Sequence, residues 1–287
     1  MRLTHRYAPT HWIACILIAM SGIAHSNTPS QNDSDLKDRP DSYGTRIGLE
    51  NHSNEYGTGT VVEFWGYHYG YGEENYSNQG TLRLYQPLQF SNWKGMLRID
   101  TSYASQWGPA DPGQSSGQYS AGNTFITVWG QPPAFLPQSF NLGARLIFPF
   151  GNNGQWAIGP QIGSVFKPKD PSKTILADFS PLARYMYGFD TKNNSFAVNP
   201  TQPPLLRTLN LFPTVGLQLT PTTQIRFWDE NSIQYNTAGG GWFVPIDAMV
   251  TQSVNKHLLV AIGASKQVVQ TFQAYDWLVY GKISLRF

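Results

Sequence analysis

Residues 276–287 of this chain read Asp-Trp-Leu-Val-Tyr-Gly-Lys-Ile-Ser-Leu-Arg-Phe and alternate in polarity. Successive side chains of a β-strand point to opposite faces. One face of this segment would carry Trp277, Val279, Gly281, Ile283, Leu285 and Phe287. The other would carry Asp276, Leu278, Tyr280, Lys282, Ser284 and Arg286. The pattern predicts a strand with an apolar environment on one side and a mostly polar environment on the other.

The same alternation recurs along the chain in segments that are separated by turn residues. The predicted strands are 58–71, 79–91, 94–107, 119–131, 138–150, 154–168, 174–191, 204–220, 222–236, 241–254, 257–269 and 272–287. An even number of antiparallel strands with one apolar face is typical of bacterial outer-membrane barrels. We therefore expect an all-β chain whose residues 44–287 form a transmembrane antiparallel β-barrel of about twelve strands. Asp229 and Asn231 would fall on the apolar face of their strand, which predicts either a strand that continues above the membrane or a β-bulge.

The N-terminal residues have the pattern of a secretory signal peptide. Arg2 and Arg6 precede a short apolar run, and the small residues of Ala24-His25-Ser26 offer a cleavage site, so we expect residues 1–26 to be removed. Residues 27–43 are polar and predict a disordered periplasmic arm. Residues 45–52 would form a short extra strand or an inward-folded segment.

Composition narrows the classes of function. The only cysteine, Cys15, lies in the predicted signal peptide, so thiol chemistry and disulfides are not expected in the mature chain. Without Arg2 and Arg6 the chain keeps eighteen basic and eighteen acidic residues, which argues against nucleic acid as a partner. A charged fraction of 13% with 14% aromatic residues suits a protein that faces lipid.

The predicted order of strands sets an orientation. The C-terminus of such barrels lies in the periplasm, and the two longest predicted loops, near 106–118 and 190–203, then both fall outside. A terminal Phe287 resembles the signal that the barrel-assembly machinery reads. The expected partners are this machinery, outer-membrane lipids with lipopolysaccharide, and a small-molecule solute.

Inward-facing charges define a candidate site in the lumen. The predicted lumen residues are Glu63, Trp65, Tyr67, Arg83, Arg98, Asp100, Arg145, Asp178, Arg184, Arg226, Glu230, Asp247, Asp276, Lys282 and Arg286. Their charges nearly balance, so they would either form ion pairs that stiffen the barrel or line a polar eyelet that selects small solutes. Trp65, Tyr67 and Tyr69 would point inward with Glu63 and line a path for an aromatic or amphipathic solute.

Two other classes of function are weighed beside a channel. In the first, Glu50-Asn51-His52-Ser53-Asn54 resembles the His-x-Ser-Asn stretch of outer-membrane phospholipases and lipid A deacylases. His52 directly precedes Ser53, however, so on one strand the two side chains would point to opposite faces and could not form this dyad. The sequence also shows no metal-ligand cluster, phosphate loop or nucleophile elbow. We therefore expect no enzyme, no metal site and no cofactor. The second class is a plugged structural or adhesive barrel, which the modest loops disfavour.

Three stretches carry a resemblance to a known family: Trp156–Gly163, Leu209–Val215 and Gly239–Pro245. Together with His257–Lys266 and Trp277–Phe287 they resemble outer-membrane transporter-like barrels of the MetA-pathway of phenol degradation. The resemblance implies uptake of hydrophobic or aromatic compounds and transfers no functional residue. We therefore expect an outer-membrane channel or transporter for passive uptake of small, aromatic or hydrophobic solutes.

Overall fold

A computed structural model describes residues 59–71, 76–107, 119–137, 139–150, 155–170, 173–191, 206–271 and 274–287. These residues belong to the structural unit Pro40–Phe287. The predicted signal peptide 1–26, the arm 27–43, the segment 45–52 and the His52-Ser53 pair lie outside the described residues. The central parts of both predicted long loops do so too.

The described chain forms strands joined by turns. They are β1 (Val61–Gly70), β2 (Tyr76–Phe90), β3 (Trp93–Trp107), β4 (Tyr119–Gly130), β5 (Phe140–Phe148), β6 (Gln155–Ser164), β7 (Leu176–Thr191), β8 (Arg207–Thr220), β9 (Thr223–Phe227), β10 (Ile233–Asn236), β11 (Trp242–Ser253), β12 (Leu258–Gln270) and β13 (Trp277–Arg286). Within the described residues, no helix is long and apolar enough to cross a membrane.

Every strand pairs with its neighbours in antiparallel register, and the sheet closes on itself. β1 pairs with both β2 and β13, while β8 and β11 both pair with β9 and with β10. β9 and β10 are therefore two halves of one interrupted strand, the ninth strand of the barrel. The prediction of an all-β barrel with about twelve strands is confirmed.

The period-two pattern determines which side chains face outward. Ile262 is 65% exposed and Ile246 is 56% exposed, whereas Asp247 and Lys282, one position out of phase, are buried. Outward Ile, Val, Phe and Trp side chains recur on nearly all strands, and the polar side chains are largely inside. This inversion of the usual soluble pattern is stable only when the outer face contacts an apolar solvent.

Chain connections at the end of the barrel that holds Gly59 and Phe287 are mostly shorter than those at the opposite end. Ser91-Asn92 and Pro221-Thr222 link neighbouring strands directly, and Ser91 adopts φ 53°, as a tight hairpin turn requires. The connection after β6 is longer than predicted. β6 ends at Ser164 because Phe166 makes only an isolated bridge to Phe179 and Pro168 has no N–H to donate.

Candidate functional site

The structure places most of the predicted lumen residues inside the barrel. Buried and inward are Glu63, Trp65, Tyr67, Arg83, Arg98, Asp100, Asp178, Arg184, Arg226, Asp247 and Lys282. Arg145 and Glu230 are half-buried and contact other lumen residues. Asp276 lies just before β13, and Arg286 lies at the last position of this strand. Both are half-buried and stand at opposite ends of the barrel.

A chain of ion pairs crosses β13, β1, β2 and β3. Lys282 donates to Glu63 Oε1 at 2.8 Å, and Ser284 donates to the same oxygen at 2.6 Å. The Arg83 guanidinium lies 3.6 Å from Glu63 Oε2 and donates through Nε to Asp100, which also accepts from Arg98 Nε at 2.7 Å. Because each buried charge has an oppositely charged neighbour, the desolvation cost of burying the set is offset in part.

The interruption of the ninth strand brings a further acid to this cluster. Residues 228–232 turn inward between β9 and β10, and Glu230 accepts two hydrogen bonds from Arg83, at 3.1 and 3.0 Å. Tyr67 donates its hydroxyl to Glu230 Oε1 at 2.8 Å. The turn therefore reaches across the lumen to β1 and β2. We name residues 228–232 the inward turn.

The inward turn is held in place by hydrogen bonds to the barrel wall. Trp228 has φ 49°, a backbone conformation that strains a bulky residue, and its Nε1 donates to the Pro245 carbonyl at 2.8 Å. Thr214 donates to the Trp228 carbonyl at 2.7 Å, and Asn231 donates to Asp247 at 2.8 Å. These contacts explain why Asn231 departs from the strand pattern. Neither expected explanation is correct: residues 228–232 form neither a β-bulge nor a continuing strand, because β9 ends at Phe227 and β10 resumes the pairing at Ile233.

A second ion-pair cluster lies at the base of the inward turn. Arg226 donates to both carboxylate oxygens of Asp178, at 3.0 and 3.1 Å, and through Nε to Asp229 at 3.0 Å. Gly216 on β8 makes room for this pair, since a Cβ at that position would lie 2.6 Å from Arg226 Nη1 and 2.8 Å from Asp178 Oδ2. Arg184 lies elsewhere on the wall and donates to Gln161 at 2.9 Å.

Inward aromatic side chains of β1 form a stacked row that ends beyond the strand. The ring centroids of Trp65 and Tyr67 are 5.7 Å apart, those of Tyr67 and Tyr69 are 5.9 Å apart, and those of Tyr69 and Tyr71 are 6.3 Å apart. Trp65 is 3% exposed, lies between Arg83 and Lys282, and donates to Glu63 at 2.8 Å. Within the row, only Tyr69 and Tyr71 keep part of their surface accessible.

Further inward aromatics pack on this row. The cluster also contains Phe243, Tyr275, Leu278 and Tyr280, and Tyr280 donates its hydroxyl to Asp247 at 2.9 Å. The alternation of the last strand puts Tyr280 and Leu278 on its polar face and predicts no role for them. Their positions in the alternation indicate that the side chains point inward. Their contact with β1 depends on the pairing of β13 with β1, which the local sequence pattern does not predict.

An apolar layer lies below the charges, toward the end of the barrel that holds Phe287. It consists of Val61, Tyr85, Trp129 and Leu259, which are each no more than 5% exposed. Tyr85 and Trp129 meet edge-on with ring centroids 6.4 Å apart.

No group of three or more His, Cys, Asp or Glu side chains in the described part of the chain is arranged to hold a metal ion. His68 faces outward, and its Nδ1 contacts Asn78 Oδ1 at 2.7 Å. The alternative of a lipid hydrolase is not tested by the structure, because His52 and Ser53 lie outside the described residues.

Comparisons with known proteins return barrels of low similarity. No protein-family model and no curated protein matches the chain, so the resemblance to the MetA-pathway family is unsupported. Among solved structures, the KdgM porin in complex with disordered oligogalacturonate is similar with TM-score 0.42 and 12% identity, over 79% of this chain and 99% of that chain. The β domain of the Bordetella autotransporter BrkA gives TM-score 0.45 and 11% identity, over 80% and 99%. Salmonella typhi OmpF in complex with daunomycin gives TM-score 0.36 and 11% identity, over 79% and 97%. Similarity at this level carries no information about solute or activity.

Proposed function

We propose that this barrel is an outer-membrane channel for passive movement of small solutes. The observation that carries the proposal is the distribution of polarity. Exposed Ile, Val, Phe and Trp side chains recur on the outer face, as contact with lipid requires, and most of the buried charged side chains face the lumen.

The inward turn is the proposed constriction. Glu230 on the turn meets Arg83 on β2 in the same layer as Glu63, Asp100 and Lys282. A cluster of paired charges on one wall, closed by a turn that reaches into the lumen, is the kind of constriction that restricts passage to small polar or amphipathic molecules. Outer-membrane lipids and lipopolysaccharide would surround the apolar outer face.

The solute path is proposed to run along Tyr69 and Tyr71. Trp65 and Tyr67 are almost fully enclosed by the charged cluster, so in this conformation they support the eyelet instead of contacting a solute. The accessible surfaces of Tyr69 and Tyr71 would give aromatic or amphipathic solutes a stacking surface at the mouth opposite Phe287. Uptake of aromatic compounds, which the MetA-pathway resemblance would imply, is part of this proposal.

A plugged structural barrel is the second candidate, and the low exposure of the lumen residues favours it. Planar-bilayer recording of the purified chain separates the two. A channel gives discrete conductance steps, whereas a plugged barrel gives none in the wild type or in Glu230→Ala. Uptake of benzenesulfonate, an aromatic anion that does not cross lipid unaided, and of sorbitol into liposomes then tests the path. Tyr69→Ala with Tyr71→Ala should slow only benzenesulfonate, and the outward Tyr103→Ala, whose side chain is 50% exposed, should slow neither.

A further inference from the structure

A cluster of polar and aromatic side chains lies on the outer face of the barrel, near the end at which β1 finishes. Lys266 on β12 is exposed and is opposite Trp277 in the register of β12 with β13. The Trp277 ring lies across Gly70 of β1, where an added Cβ would overlap the indole. His68 contacts this ring with centroids 5.1 Å apart, and Asn78 Oδ1 lies 2.7 Å from His68 Nδ1. We name Lys266, Trp277, His68 and Asn78 the outer polar cluster.

The position of Lys266 indicates contact with lipid headgroups. Lys266 forms no ion pair with another described residue, whereas Lys282 in the lumen pairs with Glu63. A lysine on a lipid-facing surface extends its ammonium group to the membrane interface, where charged headgroups lie. Tryptophan side chains are enriched at the same interface, so Trp277 agrees with this depth. In the predicted orientation, with Phe287 at the periplasmic end, this interface belongs to the outer leaflet.

A groove of about 430 Å³ adjoins the outer polar cluster on the same outer face. Gly66 on β1 is opposite Gly80 on β2 and Gly281 on β13, so three adjacent strands present no side chain at one height. A Cβ at Gly66 would meet no atom within 4 Å, so the space above it is open. The groove is bounded by His68, Ala261, Ile262 and Val279. Because His68 belongs to both features, the groove and the cluster are continuous.

The geometry points to the groove and the outer polar cluster as one binding site for a phosphate-bearing lipid of the outer leaflet. An acyl chain would occupy the groove, and the phosphate would lie at the Lys266 ammonium. The indole N–H of Trp277 and the amide N–H groups of Asn78 would be further donors to the phosphate oxygens. An ammonium group beside an apolar groove complements an anionic amphiphile, and phosphate supplies the negative charge of most membrane lipids.

This inference rests on the proposed contact of the outer face with lipid and adds the chemical class of the lipid. It does not depend on conduction through the lumen, because every residue of the outer polar cluster faces outward. Lipid binding and conductance can therefore be measured separately on one preparation of the protein.

Dioleoylphosphatidic acid, dioleoylglycerol and glycerol 3-phosphate are matched probes. The first two differ only in the phosphate, and the third lacks the acyl chains. Native mass spectrometry of the full chain in detergent micelles measures the fraction of protein that retains each probe. The wild type should retain dioleoylphosphatidic acid in preference to dioleoylglycerol and should retain no glycerol 3-phosphate.

Two variants test the two parts of the site. Lys266→Gln should weaken binding of dioleoylphosphatidic acid about fivefold, the effect of one lysine near an anionic lipid surface, and leave dioleoylglycerol unchanged. Gly66→Leu places a side chain in the groove and should weaken binding of both lipids. The controls are Lys256→Gln, at an exposed lysine in the turn before β12, and Ala144→Leu, at an exposed outward alanine on β5. Both controls should bind like the wild type, and heat-modifiable migration on gels checks that each variant is folded.

The outcomes separate the lipid site from the channel proposal. Equal binding of dioleoylphosphatidic acid and dioleoylglycerol by the wild type, or equal binding of dioleoylphosphatidic acid by wild type and Lys266→Gln, overturns the phosphate site. Unchanged lipid binding by Gly66→Leu overturns the groove as the acyl site, and dimers that are lost in this variant would assign the groove to a second copy of the chain instead. Lipid preference without conductance in planar bilayers overturns the channel and retains the lipid site, and conductance without lipid preference does the reverse.

Discussion

The carboxylate of Glu230 accepts two hydrogen bonds from the guanidinium of Arg83, at 3.1 and 3.0 Å, and thereby joins the ninth strand to β2 across the lumen. β11, β12, β13 and β1 lie between these two strands along the wall. The pair is therefore made through the interior of the barrel and not along the sheet. Its formation depends on the strand break at Trp228, which turns Glu230 out of the wall.

Loss of this pair should open the constriction. Glu230→Ala removes both hydrogen bonds and leaves Arg83 with Asp100 and Glu63, so the inward turn loses its contact with β2. We expect larger single-channel conductance in planar bilayers than for the wild type, with an intermediate value for Glu230→Gln. Asp170→Ala, which breaks an exposed ion pair with Lys173, serves as the control and should leave conductance unchanged. Wild-type conductance in folded Glu230→Ala would show that the inward turn does not restrict the path.

The sequence pattern predicts the barrel well because its alternation is a direct consequence of strand geometry and of an apolar outer environment. The alternation in residues 82–90 and in 276–287 depends on no distant contact, and the observed strands there agree with the predicted segments to within a few residues. Asp229 and Asn231 also depart from the alternation of polar and apolar residues in the sequence. The departure indicates where the strand is interrupted.

The contacts of the site are less accessible to sequence analysis. Parity predicts that Arg83 and Glu230 point inward, but 147 positions separate them, and nothing local specifies that they meet. The same holds for Trp65, whose parity suggested a solute path and whose enclosure by Arg83 and Lys282 becomes visible only when β13 closes on β1.

The space over Gly216 should be essential for the second ion-pair cluster. Gly216→Ala places a methyl group within 2.8 Å of both Arg226 and Asp178 and forces apart a pair that is fully buried. We expect destabilisation of about 1–3 kcal/mol, the range for adding a methyl group to a well-packed site, measured from urea unfolding in lipid vesicles. Gly80→Ala is the matched control, since a Cβ at Gly80 has no atom within 4 Å. Equal stability of the two variants would mean that the cluster adapts to the added methyl group.

Trp65 should contribute to stability through its N–H as well as its ring. Trp65→Phe retains an aromatic ring between Arg83 and Lys282 but removes the hydrogen bond to Glu63. Because this bond goes to a charged acceptor, the expected loss of unfolding free energy is about 1.5–3 kcal/mol. Trp156→Phe, at an outward side chain that is 39% exposed, should change the unfolding free energy by less than about 0.5 kcal/mol. If Trp65→Phe is as stable as Trp156→Phe, the indole N–H of Trp65 does not contribute to the stability of the barrel.

The apolar outer face should tolerate charge only near its edges. Ile262 is 65% exposed and opposite Gly281, midway along β13, whereas Val254 is 56% exposed at the turn after β11. Placing arginine at the depth of the bilayer centre costs about 2–4 kcal/mol, and near the interface the cost falls to about 0–1 kcal/mol. Ile262→Arg should therefore lower the free energy of unfolding in lipid vesicles by a few kcal/mol more than Val254→Arg does. In detergent micelles the detergent rearranges around the arginine, so the difference in unfolding free energy between the two variants should be smaller. If the two arginines cost the same in vesicles, the band around Ile262 does not lie at the bilayer centre, and the membrane-spanning assignment of β12 would have to be withdrawn.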